Sequence, residues 1–296
     1  MSFIWRSLQA FLQKRAGIVG INRRNVDFVY RFNERKHYPI ANDKLLTKEH
    51  LGRARVPTPK TLAVCTGLFE IPSVVASLAN EENFVLKPAN GGGGAGILVI
   101  GERLAPGRWR KAGGAEIDVS EIQQRLADIV FGAFSNDSED HALIETRITP
   151  HAVFKTLWPD GLCDIRVITL HAKPVMAMVR VPTLRSGGRA NLHQGGLGLA
   201  VDLSSGKTFR ALCVHQPVTH HPESNAPLIG LQLPQWEEVL QVARNAAAAV
   251  PLGYLGIDVV VDHRLGPLVL EINARPGLEI QNIHGKGLGP TLEAIA

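Results

Sequence analysis

Apolar and polar positions along the chain change period repeatedly, and the changes outline its elements. Asn42 or Asp43 can cap a short helix from Lys44 to about Leu51, which Gly52 ends; VPTP (Val56 to Pro59) then forces an extended entry into a strand, TLAV. IPSVVASLAN and VSEIQQRLADIVFGAF carry apolar residues at helical spacing and predict helices, whereas FVLKP, GILVI and ALIETRI are apolar runs of strand length. Further on, DIRVITL, KPVMAMVRV, GLAVDL and KTFRAL predict four strands, Pro234 opens a helix over PQWEEVLQVARNAAAAV, and GIDVVVDHRLGPLVLEINARPG begins with a hairpin whose turn is DHRLGP. The expected class is α+β.

One stretch combines a strand pattern with a glycine run. Phe84 to Ile100 reads FVLKPANGGGGAGILVI, and Gly91, Gly93 and Gly96 satisfy G-x-G-x-x-G literally. A dinucleotide fingerprint must open a helix facing the pyrophosphate, but Ile97 to Ile100 is continuous β-type sequence. A P-loop lysine follows its glycines, and Lys87 precedes these. What fits is a strand–loop–strand hairpin. Its tip, with Gly91, Gly92, Gly93, Gly94 and Gly96, exposes backbone N–H groups as a phosphate cradle, and Lys87 stands at its base. The bland alternative is a flexible hairpin tip.

The C-terminal hairpin carries a second candidate. With Val261 opposite Leu268, Asp258 faces Glu271 among valines and leucines, an arrangement in which like charges repel. A cation would relieve it. Asn273 lies on the same face as Glu271 and completes an all-oxygen set suited to Mg²⁺, with Asp258, Glu271 and Asn273 as ligands.

Composition narrows the classes. A chain of 296 residues, 45% hydrophobic and 20% charged, has ample core for two lobes. Cys65, Cys163 and Cys213 lie far apart, which suggests neither a zinc knuckle nor a disulfide framework, and a reducing cytoplasm is the expected compartment. No apolar run approaches the ~20 residues that span a bilayer. The net charge of +5 is scattered and aromatics make up only 6%, which argues against a nucleic-acid partner. Within residues 1–15, Ile4, Trp5, Leu8, Phe11 and Leu12 form a helical stripe beside Arg6, Lys14 and Arg15; packing on its own domain is favoured over docking on a membrane or partner.

Taken in this order, the motifs resemble those of ATP-grasp enzymes from about Asn42 to Gly289. The resemblance implies two α/β lobes with the nucleotide between two antiparallel sheets. It divides the chain into an N-terminal helical segment (1–41), a first lobe with the glycine-rich loop (42–144) and a second lobe with the metal site (145–296). It also implies that Lys44 and Lys87 bind nucleotide, that Glu145, Thr146, Arg147 and Ile148 meet adenine and ribose, and that Asp258, Glu271 and Asn273 hold Mg²⁺ (or Mn²⁺). CDIR, GGRANLHQGG and EINARPGLE resemble the α-L-glutamate ligase group, which places Asp164, Arg189 and Asn191 against ATP and Arg166 and Arg180 at the reaction centre. Three features are expected to depart from that group: about forty residues with helical character stand in place of the small α/β domain that precedes its first lysine, the stretch between the hinge and CDIR is longer than in the ribosomal-protein-modifying members, and VTHHPESNAPLIGLQLPQW is closer to the sugar-transfer-associated ATP-grasp group.

The chemistry these residues support is ligation of a carboxylate to an amine or peptide acceptor through an acylphosphate. Arg166, Arg180 and Arg275 hold the carboxylate and oxyanion, and His193 serves as base or ligand. Four arginines, with Arg189, exceed what a nucleotide needs, which favours glutamate or a similar amino acid as the acid. The alternative is an ATP-binding module that serves a partner without turnover.

Overall fold

A computed structural model describes residues 17–135 and 138–296, so the stripe expected within residues 1–15 lies outside the described residues. The chain divides into two compact units. The smaller comprises Asp43–Lys48 and Thr58–Thr149; the larger comprises Glu49–Pro57 and Pro150–Ala296 with the described residues up to Asn42.

The smaller unit is built on an antiparallel sheet of β1 (Thr61–Cys65), β2 (Phe84–Pro88), β3 (Leu98–Ala105), β4 (Arg108–Lys111), β5 (Glu116–Asp118) and β6 (Ala142–Thr146), in the order β1-β6-β2-β3-β4-β5. Helix α1 (Lys44–Arg53) starts where Asp43 Oδ1 accepts the N–H groups of Leu45 and Leu46 at 2.7 and 3.2 Å, so Asp43 is the cap of the two candidates, Asn42 and Asp43. Helices α2 (Ile71–Leu78) and α3 (Val119–Val130) cover the sheet. In α3, Ile122, Leu126 and Ile129 recur at spacings of four and three and bury against Phe84, Leu86, Ile100 and Trp109. Asp118 caps this helix by accepting from Ser120 and Glu121.

The larger unit is a seven-stranded antiparallel sheet: β7 (Asp164–Leu170), β8 (Lys173–Val181), β9 (Leu197–Val201), β10 (Thr208–Cys213), β11 (Gln216–Pro217), β12 (Tyr254–Asp262) and β13 (Gly266–Asn273). Their order is β11-β10-β9-β8-β7-β12-β13. The central strands β7, β8 and β12 are buried on both faces, so they read as near-continuous apolar runs rather than strict alternation. One face, with Ile165, Val167, Val179, Leu199, Ile257 and Val259, packs on a cluster that includes α4 (Ala152–Leu157) and α5 (Trp236–Ala248). The other face presents Ile168, Met176, Met178 and Tyr254 to α6 (Glu279–His284), α7 (Gly289–Glu293) and an N-terminal helical segment. That segment runs through Ile21–Arg23, a π-helical stretch Arg24–Val29 and Tyr30–Phe32.

Two buried amides attach the N-terminal segment to this face. Asn33 donates to the carbonyls of Tyr254 and Ala274 and accepts the Tyr254 N–H, while Gln281 exchanges two hydrogen bonds with Val19 and accepts a third from Leu288 N–H. Asn33 thereby stands in for a strand neighbour of Tyr254, and Gln281 satisfies backbone of Val19 and Leu288 that would otherwise be buried without partners.

The β12–β13 register differs from expectation at its tip and agrees at its base. Asp262 pairs with Gly266 across a loop of His263, Arg264 and Leu265, with Gly266 at φ 74° and Asp262 Oδ1 accepting from Arg264 and Leu265. Val261 therefore faces Pro267 instead of Leu268. A bulge at Leu270 inserts one residue, after which Asp258 faces Glu271 and Gly256 faces Asn273.

Burial pushes the His284 imidazole down to about 4, against the opposing effect of the Ala177 carbonyl, which lies 2.7 Å from Nε2. Its folded value is below its unfolded one, so its stabilising contribution is complete above pH 6.5 and is lost as pH falls toward 4. Thermal melts between pH 6.5 and 5 should therefore lose stability more steeply in the wild type than in His284→Gln.

Candidate active site

In the smaller unit the chemistry gathers around Glu145. Its carboxylate is 3% exposed, on β6 opposite Val85 of β2, and it pairs with Lys87 through one oxygen and Lys48 through the other. Lys48 also donates to the Pro59 carbonyl. Burial works to raise the Glu145 carboxyl, but Lys87 and Lys48 together outweigh it and hold the group below the ordinary carboxylate range. Burial likewise pushes the Lys48 ammonium down, with Glu145 opposing. Lys48 did not emerge from the sequence; the signal available was its place one turn after Lys44, which puts both ammonium groups on one helix face. Lys44 Nζ donates to the carbonyls of Gly91 at 2.7 Å and Ala89 at 3.2 Å.

The glycine loop has fixed ends and an open crown. Strands β2 and β3 pair from Phe84–Ile100 to Leu86–Leu98, so the stretch is a hairpin, and no helix follows the glycines. Asp140, 2% exposed, accepts from Asn90 N and Nδ2 at 3.0 Å each and from His141 N at 2.7 Å, which secures the first end. At the second, Gly96 has φ 74°, and a Cβ there would lie 2.6 Å from the Phe134 ring. Between them, a Cβ on Gly92 or Gly93 would meet nothing within 4 Å. Beyond Glu145, Thr146 Oγ1 accepts from Lys60 N, Arg147 donates to the Gly101 carbonyl, and Ile148 is half-buried.

In the larger unit, neighbouring strands bring four charges together on one face of the sheet. Asp258 (β12) is opposite Arg166 (β7), and Asp164 (β7) is opposite Arg180 (β8). Arg166 grips Asp258 with Nε and Nη2; Arg180 grips Asp164 at 2.6 and 2.9 Å and reaches Asp258 Oδ2 at 2.7 Å. Asp164, Arg166 and Asp258 are each less than a tenth exposed. Burial alone would raise the Asp258 carboxyl, but Arg166 and Arg180 hold it below its ordinary value. Asp164 fares differently: burial, with Asp258 adding to it, pushes its carboxyl up to about 6 despite Arg180. Burial acts to lower the Arg180 guanidinium, yet the two aspartates raise it.

This quartet corrects the expectation that the facing acids need a metal to relieve them. Asp258 is already neutralised by arginines from two strands, while Glu271, half-buried opposite it, stands outside the ion-pair network. Asn273 Nδ2 lies 3.3 Å from Asp258 Oδ2. The residues nonetheless fit a hard divalent ion: Asp258, Glu271 and Asn273 offer oxygen donors at adjacent register positions, with one acid free of arginine. The remaining candidates are more dispersed. Asn191 Oδ1 accepts from His193 N at 3.0 Å in an exposed turn, Arg189 is exposed, and Arg275 lies 4.9 Å over the Tyr38 ring.

The family described as sugar-transfer associated ATP-grasp matches residues 23–296. A probable alpha-L-glutamate ligase of Sodalis glossinidius is 31% identical over 116 residues, 39% of this chain and 28% of that protein. One from Marinobacter nauticus is 25% identical over 264 residues, 88% of this chain and 64% of that protein, so the chain spans less than two thirds of the length of these relatives. Among solved structures, the biotin carboxylase–β,γ-ATP complex of Campylobacter jejuni superposes with a TM-score of 0.53 at 15% identity, over 90% of this chain and 50% of that one. Two antiparallel sheets with their covering helices are thus the ATP-grasp fold.

The ion-pair pattern separates the two facing acids. Asp258→Ala leaves two buried guanidinium groups short of a carboxylate and should cost about 3–5 kcal/mol. Glu271→Gln should change stability by no more than about 0.5 kcal/mol. Urea unfolding of both variants in metal-free buffer measures the difference; equal losses would contradict it.

Proposed function

We propose, on the premise that the chain belongs to the sugar-transfer associated ATP-grasp family, that it is an ATP- and Mg²⁺-dependent ligase joining a carboxylate to an amine. The observation that carries this reading is the buried quartet of Asp164, Arg166, Arg180 and Asp258. Packed apolar residues of similar volume would serve stability as well or better, so retaining four charges on one sheet face points to chemistry rather than to an idle nucleotide-binding module. The curated relatives are named probable alpha-L-glutamate ligases, which supports glutamate or a similar amino acid as the acid.

In this reading residues 42–144 supply Lys44 and Lys87 to the α- and β-phosphates and the N–H groups of Gly91 to Gly96 to the γ-phosphoryl group. Glu145 to Ile148 meet adenine and ribose. Residues 145–296 supply Asp164, Arg189 and Asn191 to the nucleotide. Asp258, Glu271 and Asn273 would hold Mg²⁺ (or Mn²⁺), which when bound supplies neutralising charge to the phosphates. Arg166 and Arg180, through the Nη1 groups that their aspartates do not engage, and Arg275 orient the carboxylate, and its oxygen takes the γ-phosphoryl group as ADP leaves. The amine nitrogen then attacks the acyl carbon, the acyl C–O bond breaks with its electron pair leaving on phosphate, and His193 accepts the amine proton.

With ATP, Mg²⁺ and an acidic amino acid, hydroxylamine should trap a hydroxamate, with ADP as the nucleotide product; AMP with pyrophosphate would overturn the γ-phosphoryl route. Arg180→Ala should suppress hydroxamate formation at least tenfold more than it weakens ATP binding. Glu271→Gln should abolish Mg²⁺-dependent turnover in a folded protein.

A further inference from the structure

A cavity of about 300 Å³ lies in the larger unit, on the same sheet face as the quartet. Its floor continues the quartet's own row: Asp164 is opposite Arg180, Arg180 opposite Gly198 on β9, and Gly198 opposite Leu212 on β10. Directly opposed residues of an antiparallel sheet point to the same face on strands about 4.8 Å apart, so the floor begins one strand beyond Arg180. The absence of a side chain on Gly198 lets α6 and the 192–196 turn close over the floor. A Cβ there would collide with Ile283 and come within 3.3 Å of Leu192, and both residues line the cavity.

The walls carry charges of both signs that the fold leaves unmatched. Glu279 lines the cavity with its side chain 30% exposed; its Oε2 accepts from Asn282 at 3.1 Å and lies 3.8 Å from His215 Nδ1. Among the described residues no lysine or arginine pairs with it, and none of the ion pairs involves Arg185, whose stem lies over Gly195, 2.7 Å from where a Cβ would stand. Glu145, Asp164 and Asp258, by contrast, are all met by fixed cations. His215 is held at the rim by a two-residue turn, Val214–His215, with φ 46° and 66°. Such turns favour Asn-Gly, and a β-branched residue in the left-handed region is strained, the kind of conformation that persists where a site over-determines it.

We propose that this cavity binds the amine substrate, and that this amine is the α-ammonium group of an amino acid or short peptide carrying its own carboxylate. Glu279 receives the ammonium and Arg185 the carboxylate. Leu192, Leu212 and Ile283 contact the carbon skeleton, and His193, also on the wall, stands where the ammonium must lose its proton. The inference rests on the ligase reading only for the word substrate; the recognition chemistry follows from the cavity.

Calorimetry on the full chain with L-alanine, L-lysine and L-glutamate tests it, with ethylamine and propionate as the two halves of alanine. At least one amino acid should bind the wild type, at least tenfold more tightly than it binds Glu279→Gln or Arg185→Met. Glu279→Asp should recover part of the loss. For alanine, both halves should bind at least tenfold more weakly than the whole. Equal affinity in the wild type and Glu279→Gln, or no binding of any amino acid to a folded wild type, overturns the proposal. Hydroxamate trapping in the same preparations judges the ligase reading separately. Glu279-dependent binding without hydroxamate leaves the pocket established and the proposed reaction wrong, whereas hydroxamate without Glu279-dependent binding does the reverse.

Discussion

A charge removed from water must be met inside the protein, and the geometry of both units follows from how that requirement is satisfied. An isolated buried carboxylate would simply take up a proton. Asp258 stays ionised because β7 and β8 each deliver a guanidinium to it, and Glu145 because β2 and α1 each deliver an ammonium. Neither arrangement tolerates a slip in register. Moving β7 by one residue would turn Arg166 to the opposite, apolar face and leave Asp258 half-compensated.

The two clusters use different cations for reasons visible in their geometry. Around Asp258, planar forks let Arg180 share its donors between two acids while Arg166 closes on both oxygens of one, so four charges sum to zero with few donors wasted. Around Glu145, each lysine contributes a single contact to one oxygen and, for Lys48, a second to a carbonyl. Point-like ammonium groups on flexible stems exchange partners more readily than a locked fork. The aspartate-held guanidiniums, by contrast, keep one orientation whether or not a ligand is present.

Most of the framework was legible because it depends on local pattern. The strand–glycine–strand hairpin, the Asp43 cap, the stripe of α3 and the long strands of the larger sheet all follow from periodicity and turn chemistry. Strands β4 and β5 did not, since RWRK and EID are short and charged and each buries a single apolar residue, Trp109 and Ile117. Helix α4, six residues long, also escaped. The facing of Asp258 and Glu271 was read from an assumed register that fails at the tip; a bulge at Leu270 brings the pair together all the same. The arginine partners of Asp258 were beyond reach, because they require knowing that β12 lies beside β7 and β7 beside β8. That is a property of sheet order rather than of any stretch of residues.

The amides that attach the N-terminal segment to the larger sheet also set an order of events on the ribosome. Val19 is made well before its partner Gln281, 262 residues downstream, and Asn33 waits for Tyr254 and Ala274. The smaller unit draws its sheet and covering helices from a nearly continuous stretch, Thr58–Thr149, and can condense while the rest is still being made. The apolar residues Phe28 and Val29 meanwhile stay without their native cover, since the cluster they join is completed by residues as late as Ile280 and Leu292.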